Sequence, residues 1–319
     1  MAIPVIFDTD AGADIDDLYA LALILRHPNL ELLGVTTAAG DTQGRARIVA
    51  KMLRLAGRSD VPVHAGIQIP EAIARRGVEK ADYRRGLSHA DLVQAGDPES
   101  GEEYGDAAQF VLEALNSAAS PITIIGTGPW TNLAEVLRSS DQRQRSMIDS
   151  IALMGGEIHM LHCEANVRDD PEAADQILRS QVPIFVGTWS VTRQLYFTMA
   201  EVEELTENTS SPFLRALGEG TKMWWGKGIK QKPGPVCYDV VPVFWAAGDR
   251  DEISCIGLKS LPVELEGVHT RGITSTSPWQ LMAAETVDST STEYVAVTNS
   301  MNAGALKKRY QDLVFDSPF

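Results

Sequence analysis

The sequence predicts an α/β protein with a mostly parallel central sheet, helices on both faces, and a site at the carboxyl ends of the strands. Two observations carry this. Short runs that are apolar throughout alternate with stretches of helical length, and most of those runs break at Gly, Thr or Asp. A strand that is apolar on both sides must be covered on both faces, as a parallel strand between helices is. In chain order, a strand over 5–7 leads to a helix over 17–26 whose leading aspartates suit a helix start. A strand at 32–36 precedes a helix at 45–55, and a helix at 107–118 precedes a strand at 122–125. Strands at 150–154 and 184–186 flank a helix at 171–180, and a further helix is expected at 199–208. Residues 67–105 are polar, rich in Arg and Asp and poorly periodic, which predicts loops and short helices near the mouth of a site. The segment EGTKMWWGKGIKQKPGPV at 219–236 predicts a mobile loop leading back to the sheet. No repeat, low-complexity tract or linker interrupts the pattern, so one domain over 1–319 is expected.

The composition narrows the function classes. With 28 Lys+Arg against 43 Asp+Glu, the chain carries a formal charge of −15 over 319 residues. Such a surface repels phosphate backbones and anionic headgroups, so neither nucleic acid nor a membrane is an expected partner. No apolar run approaches the roughly 18 residues of a membrane span. The chain enters a strand at once, so no signal peptide is expected. Cys163, Cys237 and Cys255 are too few and too scattered for a disulfide framework or a zinc site, and Cys237 is expected to pack rather than react. A cytoplasmic location follows as the expectation.

Chemistry concentrates after the first strand. VIFDTDAGADIDDLYALAL places Asp8, Asp10, Asp14, Asp16 and Asp17 between a buried strand and an amphipathic helix. A helix start explains one or two of them. Five like charges converging on a strand end are costly unless a cation neutralises them. Oxygen ligands without His or Cys suit Ca2+ or Mg2+ rather than zinc. The spacing fails the EF-hand pattern, because Gly12 and Ala13 stand where an acidic ligand and the turn glycine belong. A strand followed by Asp-x-Asp also opens haloacid-dehalogenase-type phosphatases, with Asp8 as nucleophile and Mg2+ as cofactor. Their motif wants Thr or Val at Gly12 and lacks the paired aspartates of the helix start.

These residues resemble the inosine–uridine nucleoside hydrolase family, whose signature is a strand, Asp-x-Asp-x-Gly-x-Asp-Asp and an apolar helix. The loop here is longer by Asp14-Ile15, which leaves Asp14 ambiguous. Further blocks match in the family's order: ELLGVTTAAGD at 31–41, with Asp41 for the usual Asn, and VPVHAG at 61–66. They continue with ITIIGTGPWTNLAEVL at 122–137, MGGEIHMLHCEANVRDDPEAA at 154–174 and VCYDVVPV at 236–243, so the similarity spans nearly the whole chain.

The resemblance implies Ca2+-dependent hydrolysis of ribonucleosides to ribose and free base, with one ion per subunit. It assigns the ion to Asp10, Asp17, the Thr127 carbonyl and Asp239, and gives Asp10 the further task of taking a proton from the attacking water. Asp16, Asp41, Met154, Glu164 and Asn166 would hold the substrate; a carboxylate and an amide can bracket vicinal hydroxyls. Ala165 replaces the family's Phe between them, widening the pocket. Members specialised for purines and uridine carry His before the distal Asp, where this chain has Tyr238, a weak acid with an ordinary pKa of about 10. His89 is a second candidate donor to the leaving base, and Trp224 and Trp225 are candidate stacking platforms. A catalytically weak nucleoside-binding relative is the competing reading, and a homodimer or homotetramer the expected assembly by analogy.

Overall fold

In a computed structural model, which describes residues 2–75, 87–207, 209–228 and 233–316, nine strands form one sheet in the order β3-β2-β1-β4-β5-β6-β9-β7-β8. They are β1 Ile3–Thr9, β2 Leu30–Thr37, β3 Val63–Ala65, β4 Ile122–Gly126, β5 Ile148–Met154, β6 Ile184–Gly187, β7 Ile253–Leu258, β8 Glu285–Val287 and β9 Val295–Met301. The pairings from β3 through to β9 are parallel, and β7 pairs antiparallel with both β9 and β8.

Successive side chains of a strand leave on opposite faces, and the sheet divides accordingly. Val5, Phe7, Ile125 and Phe185 enter one core; Ile6, Ile124, Ile151 and Val186 enter the other. The helices Asp16–Arg26 and Val240–Ala247 cover the first face, while Ala107–Ser117, Thr131–Ser139 and Pro171–Leu178 contribute to the second. Every expected strand is present, and the expected helices appear within a few residues of their bounds; Asn208, the expected end of one, lies outside the described residues. No described helix is long and apolar enough to cross a membrane.

Two differences have physical reasons. Residues 219–226 are not a loop but the end of a helix, Pro212–Gly226, capped by Ser211, whose side chain accepts from the Leu214 amide. Phe213, Leu214, Leu217 and Trp224 supply its buried stripe, and Gly218 marks close packing on Thr206 rather than a turn. Residues 229–232 of the expected loop lie outside the described residues. The Val240–Ala247 helix is buried all round, so it has no amphipathic period to read. Within 67–105, the described parts are loop with the short helices Glu71–Ala74, Ala90–Leu92 and Pro98–Gly101, as expected; 76–86 lie outside the described residues.

The sheet order turns back between β1 and β4, which lie side by side with Asp8 opposite Gly126. A crevice at such a switch point is where ligands of open α/β sheets bind. The two outgoing segments approach so closely that a Cβ on Gly128 would stand 2.9 Å from the Asp10 Cβ and 3.1 Å from its nitrogen. Gly128→Ala is therefore expected to cost about 1–3 kcal/mol, read by thermal or denaturant melting, and to push Asp10 out of place. Unchanged stability would show that the two segments yield freely.

Candidate active site

The acidic loop leaves β1 with its backbone already engaged. Asp17 Oδ1 accepts from the Thr9 hydroxyl at 2.5 Å, from the Thr127 hydroxyl at 2.8 Å and from the Asp10 amide at 3.3 Å. Beneath the loop lies Arg45, wholly buried, whose guanidinium donates to the carbonyls of Asp10, Ala11 and Ala39. Ser88 closes the far side, its amide and hydroxyl reaching the Gly12 and Ala13 carbonyls. Hydrogen bonds to backbone carbonyls let a buried cation sit under the loop without consuming its carboxylates.

A cavity of about 450 Å³ opens above these residues, lined by Asp10, Asp14, Asp16, Asp17, Thr127, Met154, Glu164, Asn166, Tyr238 and Asp239 among others. Nine of the expected site residues thus meet in one place, although they come from the ends of β1, β4 and β5 and from the start of the Val240–Ala247 helix. The Asn166 amide nitrogen donates to the Thr127 carbonyl at 2.7 Å and the Met154 carbonyl at 3.2 Å, joining the β4 and β5 ends. Glu164 caps the helix Ala165–Asp169 and accepts from the Gly156 amide at 3.1 Å, which holds its carboxylate at the cavity wall.

Four expected residues do not line this cavity. Asp41 caps the helix Thr42–Leu55, accepting from the Gly44 amide at 2.8 Å. Trp224 is buried in the core and Trp225 packs against it, so neither presents a face to the cavity. His89 is wholly buried behind the acidic loop, its Nδ1 3.0 Å from the Ser88 hydroxyl. Burial and the Arg45 charge push the His89 pKa down to about 3, so the ring stays neutral, and it stands off the cavity lining. Asp8, the nucleophile of the phosphatase reading, is also absent from the lining: its Oδ1 accepts from Thr36 at 2.5 Å and Asn132 at 2.8 Å.

Burial and mutual repulsion raise these carboxylates. Carboxylate oxygens of Asp16, Asp17 and Asp239 lie within 4.8 Å of one another, all buried. Burial first, then neighbouring negative charge, lifts Asp16 and Asp239 well above the ordinary carboxylate range, and burial lifts Asp17 as well. Asp14 is pushed up to about 6 by the same burial, with Asp17 adding to it. A divalent cation would offset both causes by favouring the ionised carboxylates, and an all-oxygen donor set fits a hard cation. Asp10 lines the cavity beside this set without belonging to it.

The remaining lining was not anticipated. His162, Arg168 and Trp189 face the same cavity as Tyr238. The signal for Trp189 was its place just beyond the strand at 184–186, the end at which such sheets bind ligands. His162 and Arg168 lie within the matched block at 154–174 but at positions that bear no motif residue.

The family model described as inosine-uridine preferring nucleoside hydrolase matches residues 5–308. A pyrimidine-specific ribonucleoside hydrolase, RihA, of Salmonella paratyphi B is 30% identical over 283 residues, covering 86% of this chain and 88% of the relative. Among solved structures, a plant nucleoside hydrolase superposes with a TM-score of 0.79 at 22% identity, covering 99% of this chain and 100% of its own. A purine-preferring ribonucleoside hydrolase from Gardnerella vaginalis gives 0.78 at 22% identity and 98% of each chain. At these identities the superpositions show the shared fold.

The buried His89 has a measurable consequence. In the folded protein it stays neutral down to about pH 3, whereas in the unfolded chain it takes a proton near the ordinary histidine value of 6.5. Between those values the unfolded state binds more protons, so this residue's contribution falls as pH is lowered. His89→Gln is expected to gain stability relative to the parent between pH 7 and 4, measured by melting at each pH. A pH-independent difference would place His89 in contact with solvent.

Proposed function

Since the chain belongs to the inosine-uridine preferring nucleoside hydrolase family and is a hydrolase of nucleoside N-glycosyl bonds, we propose that it splits ribonucleosides into ribose and free base with one Ca2+ per subunit. The observation that carries this reading is the buried carboxylate set at the β1–β4 switch point, sharing one cavity with Glu164 and Asn166. Asp10, Asp17, Asp239 and the Thr127 carbonyl oxygen would hold the cation. When bound, the cation supplies positive charge that neutralises these carboxylates and acidifies a water beside the anomeric carbon.

The chain's own groups do the rest. Asp10 takes the proton of that water as general base while the C–N bond breaks. Asp16, Glu164 and Asn166 bracket the ribose hydroxyls; the Asn166 nitrogen is spent on Thr127 and Met154, so its oxygen is the atom offered to the sugar. Met154 lies against the ribose as an apolar contact. Tyr238 donates to the departing base. Burial raises its pKa, so it acts as a hydrogen-bond donor rather than as a strong acid. We place this activity in the cytoplasm, in a homodimer or homotetramer, on the strength of the family likeness.

One observation favours a second assignment for a single residue. Asp16, and not Asp10, completes the compact set with Asp17 and Asp239, which supports a cation-ligand role for Asp16.

Incubation with inosine, uridine, adenosine and cytidine plus Ca2+ is expected to release ribose as reducing sugar, and EDTA to stop it. Nucleoside binding without ribose release would overturn the hydrolytic proposal. Asp10→Ala should lower turnover by about 10²–10⁴-fold. Asp16→Asn separates the two assignments by calorimetry: unchanged Ca2+ affinity with lost ribose inhibition supports a sugar role, and weakened Ca2+ affinity supports a ligand role.

A further inference from the structure

A carboxylate that the hydrolytic scheme does not use is buried immediately after β5. Glu157 is wholly buried, yet its oxygens are fully engaged. Oε1 accepts from the amides of Ile158 at 2.8 Å and His159 at 2.6 Å and from the Ser190 hydroxyl at 3.0 Å. Oε2 accepts from the Ser190 amide at 2.7 Å. Its main chain is tied in turn to the Thr274 hydroxyl, through both its amide and its carbonyl, at 2.7 Å each. One side chain therefore joins the loop after β5 to the segment after β6.

Those two segments carry His162 and Trp189. The two rings stand 4.3 Å apart, centroid to centroid, at 34°. The Arg193 guanidinium lies 4.2 Å from the Trp189 centroid. Trp189 also hydrogen-bonds the side chain of Tyr238. His162, Trp189 and Tyr238 all line the cavity, and none belongs to the acidic floor. Trp189, with the His162 ring tilted against it and the Arg193 guanidinium over it, shares the cavity lining with Tyr238, which makes a preorganised aromatic surface that a planar heteroaromatic ring can meet edge to face.

Resting on the nucleoside reading above, we propose that Trp189 is a specificity-determining residue of the aglycone end, the centre of a ring wall with His162 and Tyr238, and that Glu157 is the positioning residue that holds this wall. A bicyclic base covers more of such a wall than a monocyclic one, so the wall favours purine over pyrimidine aglycones. Glu157 acts only through the wall: it touches neither sugar nor base. Replacing it with Gln keeps the shape but turns one acceptor into an N–H2 group facing backbone N–H donors, which loosens Ser190 or the Ile158–His159 turn.

The test compares kcat/KM for inosine and uridine, with free ribose as a competitive inhibitor that reads only the floor. Trp189→Ala is expected to reduce inosine at least about fivefold more than uridine while the ribose inhibition constant stays unchanged. Trp189→Phe should retain most of the preference, and Glu157→Gln should shift it in the same direction as Trp189→Ala. Calorimetric binding of hypoxanthine and uracil in the presence of ribose reads the wall without turnover, so a parent enzyme that released no ribose would overturn the proposed reaction while the wall was still judged. Equal losses for both bases, or a changed ribose constant, would overturn the assignment of Trp189. A lowered melting temperature of Glu157→Gln with an unmoved base preference would overturn that of Glu157.

Discussion

The structure depends on the burial of negative charge where β1 and β4 part. Asp10, Asp16, Asp17 and Asp239 are all nearly inaccessible, and such a set is unstable unless each charge is answered. The fold answers part of it. Thr9 and Thr127 hold Asp17, and Arg45 braces the loop backbone from below. What it leaves is a group of carboxylates raised by burial and by one another, an all-oxygen donor set that fits a hard cation.

This constraint accounts for features well away from the floor. Gly128 has no side chain because one would strike Asp10. Asn166 reaches across to the Thr127 carbonyl, so the segment after β5 is registered against the end of β4. His89 and Ser88 sit behind the loop and hold it from the side opposite the cavity. In such a site loops supply the functional groups, and the parallel strands supply the rigidity that makes a network of carboxylates tolerable.

The cavity thus divides by chemistry. Its floor is oxygen-rich, suited to a cation and hydroxyls, and is built from β1, β4 and the segment containing Asp239. Its other lining is aromatic and basic, with His162, Trp189 and Tyr238 beside Arg168. Glu157 and the Asp17 network play parallel parts: each is a buried carboxylate whose donors lock two chain segments together. The difference is that Glu157 has backbone donors enough to be satisfied by the protein alone, while the floor does not.

The sheet and the acidic loop were legible in the sequence because their signals are local. Apolar runs such as 122–125 and 150–154 must be covered on both faces, and five aspartates in one short stretch cannot be an ordinary helix start. The matched blocks extended this to Glu164, Asn166 and Asp239. The antiparallel edge of β7, β8 and β9, the helix that contains Trp224, and the retirement of Asp41 and His89 from the cavity were not legible. Residue type shows what a side chain can do, but packing decides which way it faces: Asp41 had a helix amide to cap, and Trp224 had a core to fill. By itself the sequence determined that a parallel sheet would gather carboxylates at one end. Only the tertiary structure decided which rings would stand beside them, because Trp189, His162 and Tyr238 are distant along the chain and come together only on the lining of one cavity.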